Sequence, residues 1–336
     1  MAITLTVVVP ALNEAERLPL LLDTLDRQTR RADEVIVADA GSTDGTREIA
    51  SARGALVVEG GKPAVGRNAG ARAAIGDRLL FLDADDLLDD GFIAASLQEF
   101  EERELTAATA FMDPIERQPG NIFACEVANL YLDVMQYVSP HAPGFCILAR
   151  RDAHEAIDGF DETVLLAEDH DYVQRAAEIG KFRVLRGARV STSMRRIEKE
   201  GLVRLAFMYL YCELYVVTGR PIKKVPFDYE FAAFAPAERT EAWLAIDALR
   251  ERVGGLADSA LAASNDGLDS LLRLGSKDVD PTGFERALRG LRSDDIRRLT
   301  RYVGARVRLV RRTRSKAVAR VRKAGAAVWR ALGGNE

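Results

Sequence analysis

Three short segments carry side chains whose types and spacing could do chemistry together. Pro10-Ala11-Leu12-Asn13-Glu14 follows the apolar run Ile3–Val9. Asp39-Ala40-Gly41-Ser42-Thr43-Asp44-Gly45-Thr46 follows Val35–Ala38, and Asp83-Ala84-Asp85-Asp86 follows Leu79–Leu82. An Asp-x-Asp just beyond a strand brings two carboxylates within reach of one point. Hard oxygen donors with no His or Cys beside them favour Mg²⁺ or Mn²⁺ over zinc, and such an ion keeps positions open for substrate phosphates. The plain alternative is that acids after strands are helix N-caps, as Asp44 and Asp89 would be. For a lone Asp-x-Asp the cap is the better reading, but three acidic loops converging on one edge reverse the balance.

The elements that must position these loops are legible as an alternation. Strands are expected at Ile3–Val9, Val35–Ala38, Leu56–Val58 and Leu79–Leu82. Helices should run from Glu14 to about Gln28, from near Asp44, over Pro63–Ala74, and from a cap at Asp89 or Asp90 to Arg103. Uniformly apolar strands alternating with helices imply a mostly parallel sheet covered on both faces. Ligands of such sheets bind beyond the carboxyl ends of the strands. Further on, strands are expected at Ala107–Phe111 and Phe145–Ala149, with helices near Ile122–Tyr137 and at Glu168–Ile179. Arg196–Val217 reads as helix, Gly219–Pro236 as an aromatic-rich connector, and Glu238–Leu332 as all helix.

Taken in order, Val7-Val8-Val9-Pro10-Ala11-Leu12-Asn13-Glu14, Val35–Thr46, Gly66-Arg67-Asn68-Ala69-Gly70 and Phe81–Asp86 resemble glycosyltransferase family 2. Gly159-Phe160-Asp161-Glu162 and Glu168-Asp169-His170-Asp171 extend the likeness. The resemblance covers roughly residues 3–225 and implies an inverting enzyme of the α/β GT-A fold. By the same resemblance, Pro10, Asn13 and Glu14 match the first nucleotide-binding loop, and Asp39 the acid that accepts from the nucleobase imide. Many members carry a second acid where this chain has Ala40. Arg67 and Asn68 match the segment beside the nucleotide sugar, Asp83 a ribose or metal contact, and Asp85 the metal ligand.

The resemblance implies that Asp169 is the general base for the acceptor hydroxyl. Glu168, Asp169 and Asp171 also sit at a helix start, where acids oppose the macrodipole, and Asp171 with Arg175 is an i,i+4 pair. His170 is a candidate third metal contact or a structural imidazole, while His141 and His154 receive no role. Arg195 and Arg196 stand where other members place a basic group over the diphosphate; two adjacent arginines also suit a solvated helix start. The Gln-x-x-Arg-Trp motif of processive members is missing, which implies single addition.

Composition bounds the remainder. The 336 residues are 48% hydrophobic and 29% charged, ample for a sizeable core. The formal charge is only −4, yet residues 297–336 hold 13 arginines and lysines against one acid, Glu336. A basic tail follows an acidic body. Leu299, Val303, Val307, Val310, Ala317, Val321, Ala324 and Val328 form an apolar seam there, the pattern of a helix lying on an anionic membrane surface through 297–332. Pairing with another helix, or folding back onto the body, would use the same seam. No nucleic-acid recognition motif accompanies the charge. Cys125, Cys146 and Cys212 match no metal spacing and cannot all pair, which suits a reducing, cytoplasmic setting. The opening Met-Ala-Ile-Thr does not read as a signal peptide, and Leu202–Gly219 is too short and too charged to span a bilayer.

The expected organisation is a GT-A domain over 1–220, a linker over 221–236 and a helical extension over 237–336. Expected partners are Mn²⁺ or Mg²⁺, a nucleotide-sugar donor (UDP-sugar before GDP-sugar) and a sugar or lipid-linked acceptor. A phosphatase using Asp-x-Asp would want Thr or Val where Leu87 stands. A phosphate-binding loop fails because Gly60-Gly61-Lys62 is followed by Pro63. A non-catalytic sugar-nucleotide-binding or scaffold protein acting through the C-terminal region is the alternative to an enzyme.

Overall fold

The computed structural model describes residues 3–195, apart from residues 138 and 165. The expected linker, the helical extension, the seam of 297–332, Cys212 and Arg196 lie outside the described residues.

Within 3–195 the chain alternates as expected at first: β1 (Leu5–Ala11), α1 (Leu18–Asp26), β2 (Glu34–Asp39), α2 (Thr46–Ala52), β3 (Leu56–Glu59), α3 (Pro63–Ala73) and β4 (Arg78–Leu82). The order continues β5 (Leu87–Leu88), α4 (Phe92–Glu102), β6 (Ala107–Pro114), α5 (Pro119–Met135), β7 (Cys146–Arg150), α6 (Arg151–Ala156), α7 (Glu168–Ile179) and β8 (Phe182–Thr192). These strands form one eight-stranded sheet ordered β3-β2-β1-β4-β7-β6-β8-β5. The β3-β2-β1-β4 half is parallel, whereas β7 runs antiparallel to both β4 and β6. The carboxyl ends of β1, β2, β4, β6 and β8 and the start of β7 therefore share one edge.

Both faces of the sheet are buried, which explains the unbroken apolar runs. Val7, Val9, Leu80 and Leu82 face α1 and α4 in one core with Leu18, Leu21, Phe92 and Phe100. Val8, Leu79 and Phe81 face the other core with Ile147, Phe160, Tyr172 and Phe182. The period of two along each strand divides neighbours between the cores. Helix α3 lies unusually close to β1: a Cβ on Gly70 would come within 2.3 Å of Val8 Cγ1. Only glycine permits that approach, and the approach brings Arg67 and Asn68 to the sheet edge.

The structure departs from the sequence expectation in four places. β5 is two residues long and exists through pairing with β8, Leu87 with Ser191 and Leu88 with Val190. β8 itself has no clean alternation because its pairing with β6 slips between Ala110 and Phe111. The residues looped out at that bulge are secured by Glu99 of α4, whose Oε2 accepts the backbone N–H groups of Arg186 (2.7 Å) and Gly187 (2.9 Å). The short helix α6 follows β7 directly. Neither Asp89 nor Asp90 caps α4 with its side chain: the helix begins after Gly91, and Asp89 contributes its carbonyl to the Phe92 N–H. Asp44 does act at the start of α2, where its Oδ1 accepts from the Thr46 N–H at 3.1 Å. Among the described residues Cys125 and Cys146 are buried and form no disulfide, and no helix is long and apolar enough to cross a membrane.

Candidate active site

The loops after β1 and β2 are stitched to each other. Asn13 sits at φ 54° and accepts the Thr43 N–H on Oδ1 (2.9 Å), while its own N–H reaches Ser42 Oγ (2.9 Å). The Glu14 N–H donates to Thr46 Oγ1 and the Ala15 N–H to Asp44 Oδ2. Pro10 lies within β1, paired with Ala38. Asp39, at the end of β2, is fully buried. Its Oδ2 accepts from the backbone N–H groups of Gly41 and Ser42, each at 3.1 Å, and from Arg47 Nη1 at 3.0 Å. Its Oδ1 is buried with no partner in the protein. Burial alone would raise the Asp39 carboxyl, but hydrogen bonds from Ser42, Arg47 and Gly41 outweigh it and hold the group below the ordinary range.

The second centre is organised by Arg67. Its guanidinium is buried, donating from Nη1 to Glu168 Oε1 (3.0 Å) and from Nη2 to Asp83 Oδ1 (3.0 Å) and the Gly144 carbonyl (3.0 Å). A Cβ on Gly144 would lie 2.7 Å from Arg67 Nη2 and 3.3 Å from Asp169 Oδ2, so a side chain there would displace both. One cation thus joins the β4 loop, the entry to β7 and the first turn of α7. Burial opposes its charge, but Asp83, Glu168 and Asp169 together keep Arg67 firmly protonated.

The carboxylates are less well balanced. Burial and the nearby Asp85 and Glu168 raise the Asp83 carboxyl despite Arg67. Burial raises Asp169 as well, with Arg67 opposing it. Burial and Asp169 likewise raise Glu168. Asp86 is fully buried, accepts the Asp83 N–H on Oδ2 (2.9 Å), and is raised well above the usual range by burial, Asp83 and Asp85. Three acids thus share one fixed cation, and two more, Asp85 and Asp86, adjoin Asp83.

The remaining expected site residues take varied places. Asn68 has its amide committed elsewhere: Nδ2 donates to the Phe160 carbonyl (2.8 Å) and Glu162 Oε1 (3.0 Å), and Oδ1 accepts the Phe160 N–H (2.8 Å). It clamps the Gly159–Glu162 loop, and Phe160 in turn lies under Arg67 at 5.5 Å. His170 is buried, with Nε2 3.9 Å from Asp169 Oδ1 and its ring edge-on to His141 at 4.5 Å between centroids. Arg195 is the last described residue, half-buried at the end of the segment after β8.

The expected metal ligands are Asp83, Asp85 and His170. Among the described residues no group of three or more His, Cys, Asp or Glu side chains is arranged to hold a metal ion. The donor chemistry at the β4 turn nevertheless fits a divalent cation. Asp85 is close enough to raise the proton affinity of Asp83, and both offer only oxygen. Mg²⁺ and Mn²⁺ suit one or two carboxylates with substrate phosphates completing the shell.

Sequence reasoning gave no role to Asp86, Gly144 or Arg47, and treated Glu168 as a helix-terminal acid. Asp86 was the most accessible of these, as the third acid of an unbroken Asp-x-Asp-Asp turn. Gly144 and Arg47 carry no local signal, because their partners lie on other elements.

A mixed sheet whose carboxyl edge gathers a buried acid, an Asp-x-Asp turn and an acidic helix start is the arrangement of a GT-A type of domain. Residues 6–158 match the model "Glycosyl transferase family 2", and the chain carries a family 2 glycosyltransferase domain. Among curated relatives, a 4,4'-diaponeurosporenoate glycosyltransferase of Staphylococcus haemolyticus is 36% identical over 107 residues, covering 29% of this chain and 28% of that protein. A PGL/p-HBAD biosynthesis glycosyltransferase of Mycobacterium bovis is 33% identical over 132 residues, covering 35% of this chain and 51% of that protein. The chain thus spans about half or less of the length of these relatives. The fold is shared with the mannosyltransferase PcManGT of Pyrobaculum calidifontis in complex with GDP-Man and Mn²⁺, at TM-score 0.52 and 21% identity over 91% of this chain and 86% of that one.

Proposed function

We propose that this protein is a metal-dependent, inverting glycosyltransferase that moves a sugar from a nucleoside-diphosphate sugar to an acceptor hydroxyl. The observation that supports this reading most strongly is Arg67, which ties the Asp83–Asp86 turn to the Glu168-Asp169 end of α7 across a single buried guanidinium. In this reading Asp39 receives the nucleobase, and Asp83 and Asp85 hold the divalent ion near the diphosphate. When bound, that ion supplies Lewis-acid stabilisation to the departing nucleoside diphosphate. Asp169 takes the acceptor hydroxyl's proton as the hydroxyl oxygen bonds to the anomeric carbon and the bond to the diphosphate breaks. One displacement inverts the configuration, and no enzyme nucleophile is required. Burial raises the Asp169 carboxyl toward working pH, which suits a general base. The relatives' names carry glycosyl transfer, and the similarly folded mannosyltransferase is in complex with a nucleotide sugar and Mn²⁺.

Donor turnover tests the reading directly. The full chain incubated with UDP- and GDP-sugars should release nucleoside diphosphate with Mn²⁺ or Mg²⁺ and stop when the metal is chelated. Asp85→Ala should abolish that release and the metal-dependent part of nucleotide binding while leaving the fold intact. Turnover that survives chelation removes the metal from the mechanism. Nucleotide binding without turnover of any donor favours the non-catalytic alternative.

A further inference from the structure

Asn68 follows Arg67 on α3, and its amide is buried with both hydrogens committed inside the protein. Nδ2 donates to the Phe160 carbonyl at 2.8 Å and to Glu162 Oε1 at 3.0 Å, and Oδ1 accepts the Phe160 N–H at 2.8 Å. A backbone N–H can only donate, so this last bond fixes which end of the amide is oxygen. No hydrogen of the amide is left for a sugar hydroxyl or a phosphate. We propose that Asn68 is a positioning residue and not a contact to the sugar nucleotide: its clamp on the Gly159–Glu162 loop holds Phe160 beneath Arg67 and so places the acids that Arg67 joins. The assignment rests on the reading of the Arg67 centre as the glycosyl-transfer site.

The clamp reaches the reacting centre by two routes. The first runs through the Phe160 ring, which is buried and stacked on Tyr172 of α7 at 4.0 Å with 12° between the planes. Arg67 Cζ lies over the same ring, 5.5 Å from its centroid. The second runs along the chain, from the loop to Ala167 in left-handed backbone at φ 63° and then to Glu168 and Asp169 in the first turn of α7. Arg175 of α7 secures the near end of the loop, donating from Nη1 to the Ile157 and Gly159 carbonyls, each at 2.7 Å. Gly159 turns the chain at φ 65°, and a Cβ there would stand 2.5 Å from Asn68 Oδ1. Loop and amide are thus fitted to each other. Asn68→Asp keeps the shape and the bond from the Phe160 N–H. Its second oxygen would face the Phe160 carbonyl and the Glu162 carboxylate, acceptor against acceptor. The loop must then withdraw, and Phe160 with it. Displacing catalytic groups by about 1 Å costs up to roughly a hundredfold in rate.

Steady-state turnover and calorimetric titration of the full chain separate positioning from binding. In Asn68→Asp, kcat for nucleotide-sugar turnover should fall about tenfold or more, while donor KM and the affinity for UDP or GDP with Mn²⁺ stay within about threefold of wild type. Adding Glu162→Gln to Asn68→Asp replaces an opposing acceptor with an amide donor and should recover part of the lost kcat. Phe160→Leu removes the ring but keeps the backbone groups that Asn68 holds. It should reproduce the loss of kcat at unchanged nucleotide affinity, and it carries the same test if Asn68→Asp fails to fold. Weaker donor binding at unchanged kcat makes Asn68 a contact to the sugar nucleotide and overturns the assignment. A lower melting temperature with wild-type kcat makes the clamp structural only and overturns it too. A loss of kcat that Glu162→Gln leaves untouched places the effect outside the clamp. Turnover of no donor by wild type removes the glycosyl-transfer reading itself, and the positioning role with it.

Discussion

The two acidic centres at the sheet edge are built on opposite principles. At the end of β2, one carboxylate is surrounded by donors: Gly41, Ser42 and Arg47 satisfy one oxygen of Asp39, and the group is held below its usual proton affinity. At the end of β4 and the start of α7, Asp83, Glu168 and Asp169 share the single guanidinium of Arg67, with Asp85 and Asp86 beside Asp83. There burial raises all of Asp83, Asp86, Glu168 and Asp169, and neighbouring carboxylates add to it at Asp83, Asp86 and Glu168. The first centre is balanced by the protein alone. The second carries an excess of negative charge that a bound cation or a transferred proton would relieve, which is the expected state of a centre that performs chemistry.

That contrast can be broken most severely at Asp169. Asp169→Asn is nearly isosteric but cannot take a proton. Turnover should fall by roughly 10²–10⁴-fold, while nucleotide affinity measured by titration stays near wild type. A damaging Glu168→Gln beside a nearly silent Asp169→Asn would move the base one residue back.

The next largest effect should come from removing the shared cation. Arg67→Met leaves Glu168 without its partner in a buried setting and Asp83 without its partner at a partly exposed one. Losing one member of such a pair costs on the order of 3–5 kcal/mol, read as a lower urea midpoint. Arg47→Met at the balanced centre should shift that midpoint less, because Arg47 itself is half-exposed and Asp39 keeps the N–H donors of Gly41 and Ser42. Equal shifts in the two variants would abolish the distinction between the centres.

The smallest effect concerns the support behind the second centre. His154 is buried against Phe81, Phe160 and Tyr172, with Nδ1 3.1 Å from the Tyr172 hydroxyl. Burial and the cations Arg175, Arg72 and Arg151 push it down to about 4. The native state therefore holds a neutral ring where the unfolded chain would bind a proton. Its stabilising contribution is complete above about pH 6.5 and is lost as pH falls toward 4. Denaturation midpoints of wild type should drop across that window more steeply than those of His154→Asn. Parallel pH profiles would mean that His154 is not the group responsible.

Much of this molecule is decided locally. The runs Val7–Val9, Val35–Ala38 and Leu79–Leu82 specify strands buried on both faces. A chain leaving such a strand must deliver Asn13, Asp39, Asp83 and Asp85 to the same edge, whatever lies further along. Helix α7 is likewise legible to the residue, because its acids and apolar positions repeat at helical spacing. The sequence analysis missed elements that exist only through partners: β5 is held by β8, and the bulge in β8 is secured by Glu99 of α4, 88 residues from Gly187.

The same division runs through the candidate site. Which residues could act as acids, metal ligands or base-facing acceptors follows from residue type and a strand end. What each one touches does not. Arg67 reaches across 16, 77 and 101 residues to Asp83, Gly144 and Glu168, and Asn68 across 92 to Phe160. A side chain's type fixes its donors and acceptors, but only the folded chain selects partners so far apart. Burial then sets their proton affinities. The sequence alone determined the inventory and the edge where it gathers; the tertiary structure decided that Asp39 stands balanced and that Asp83, Asp86, Glu168 and Asp169 do not.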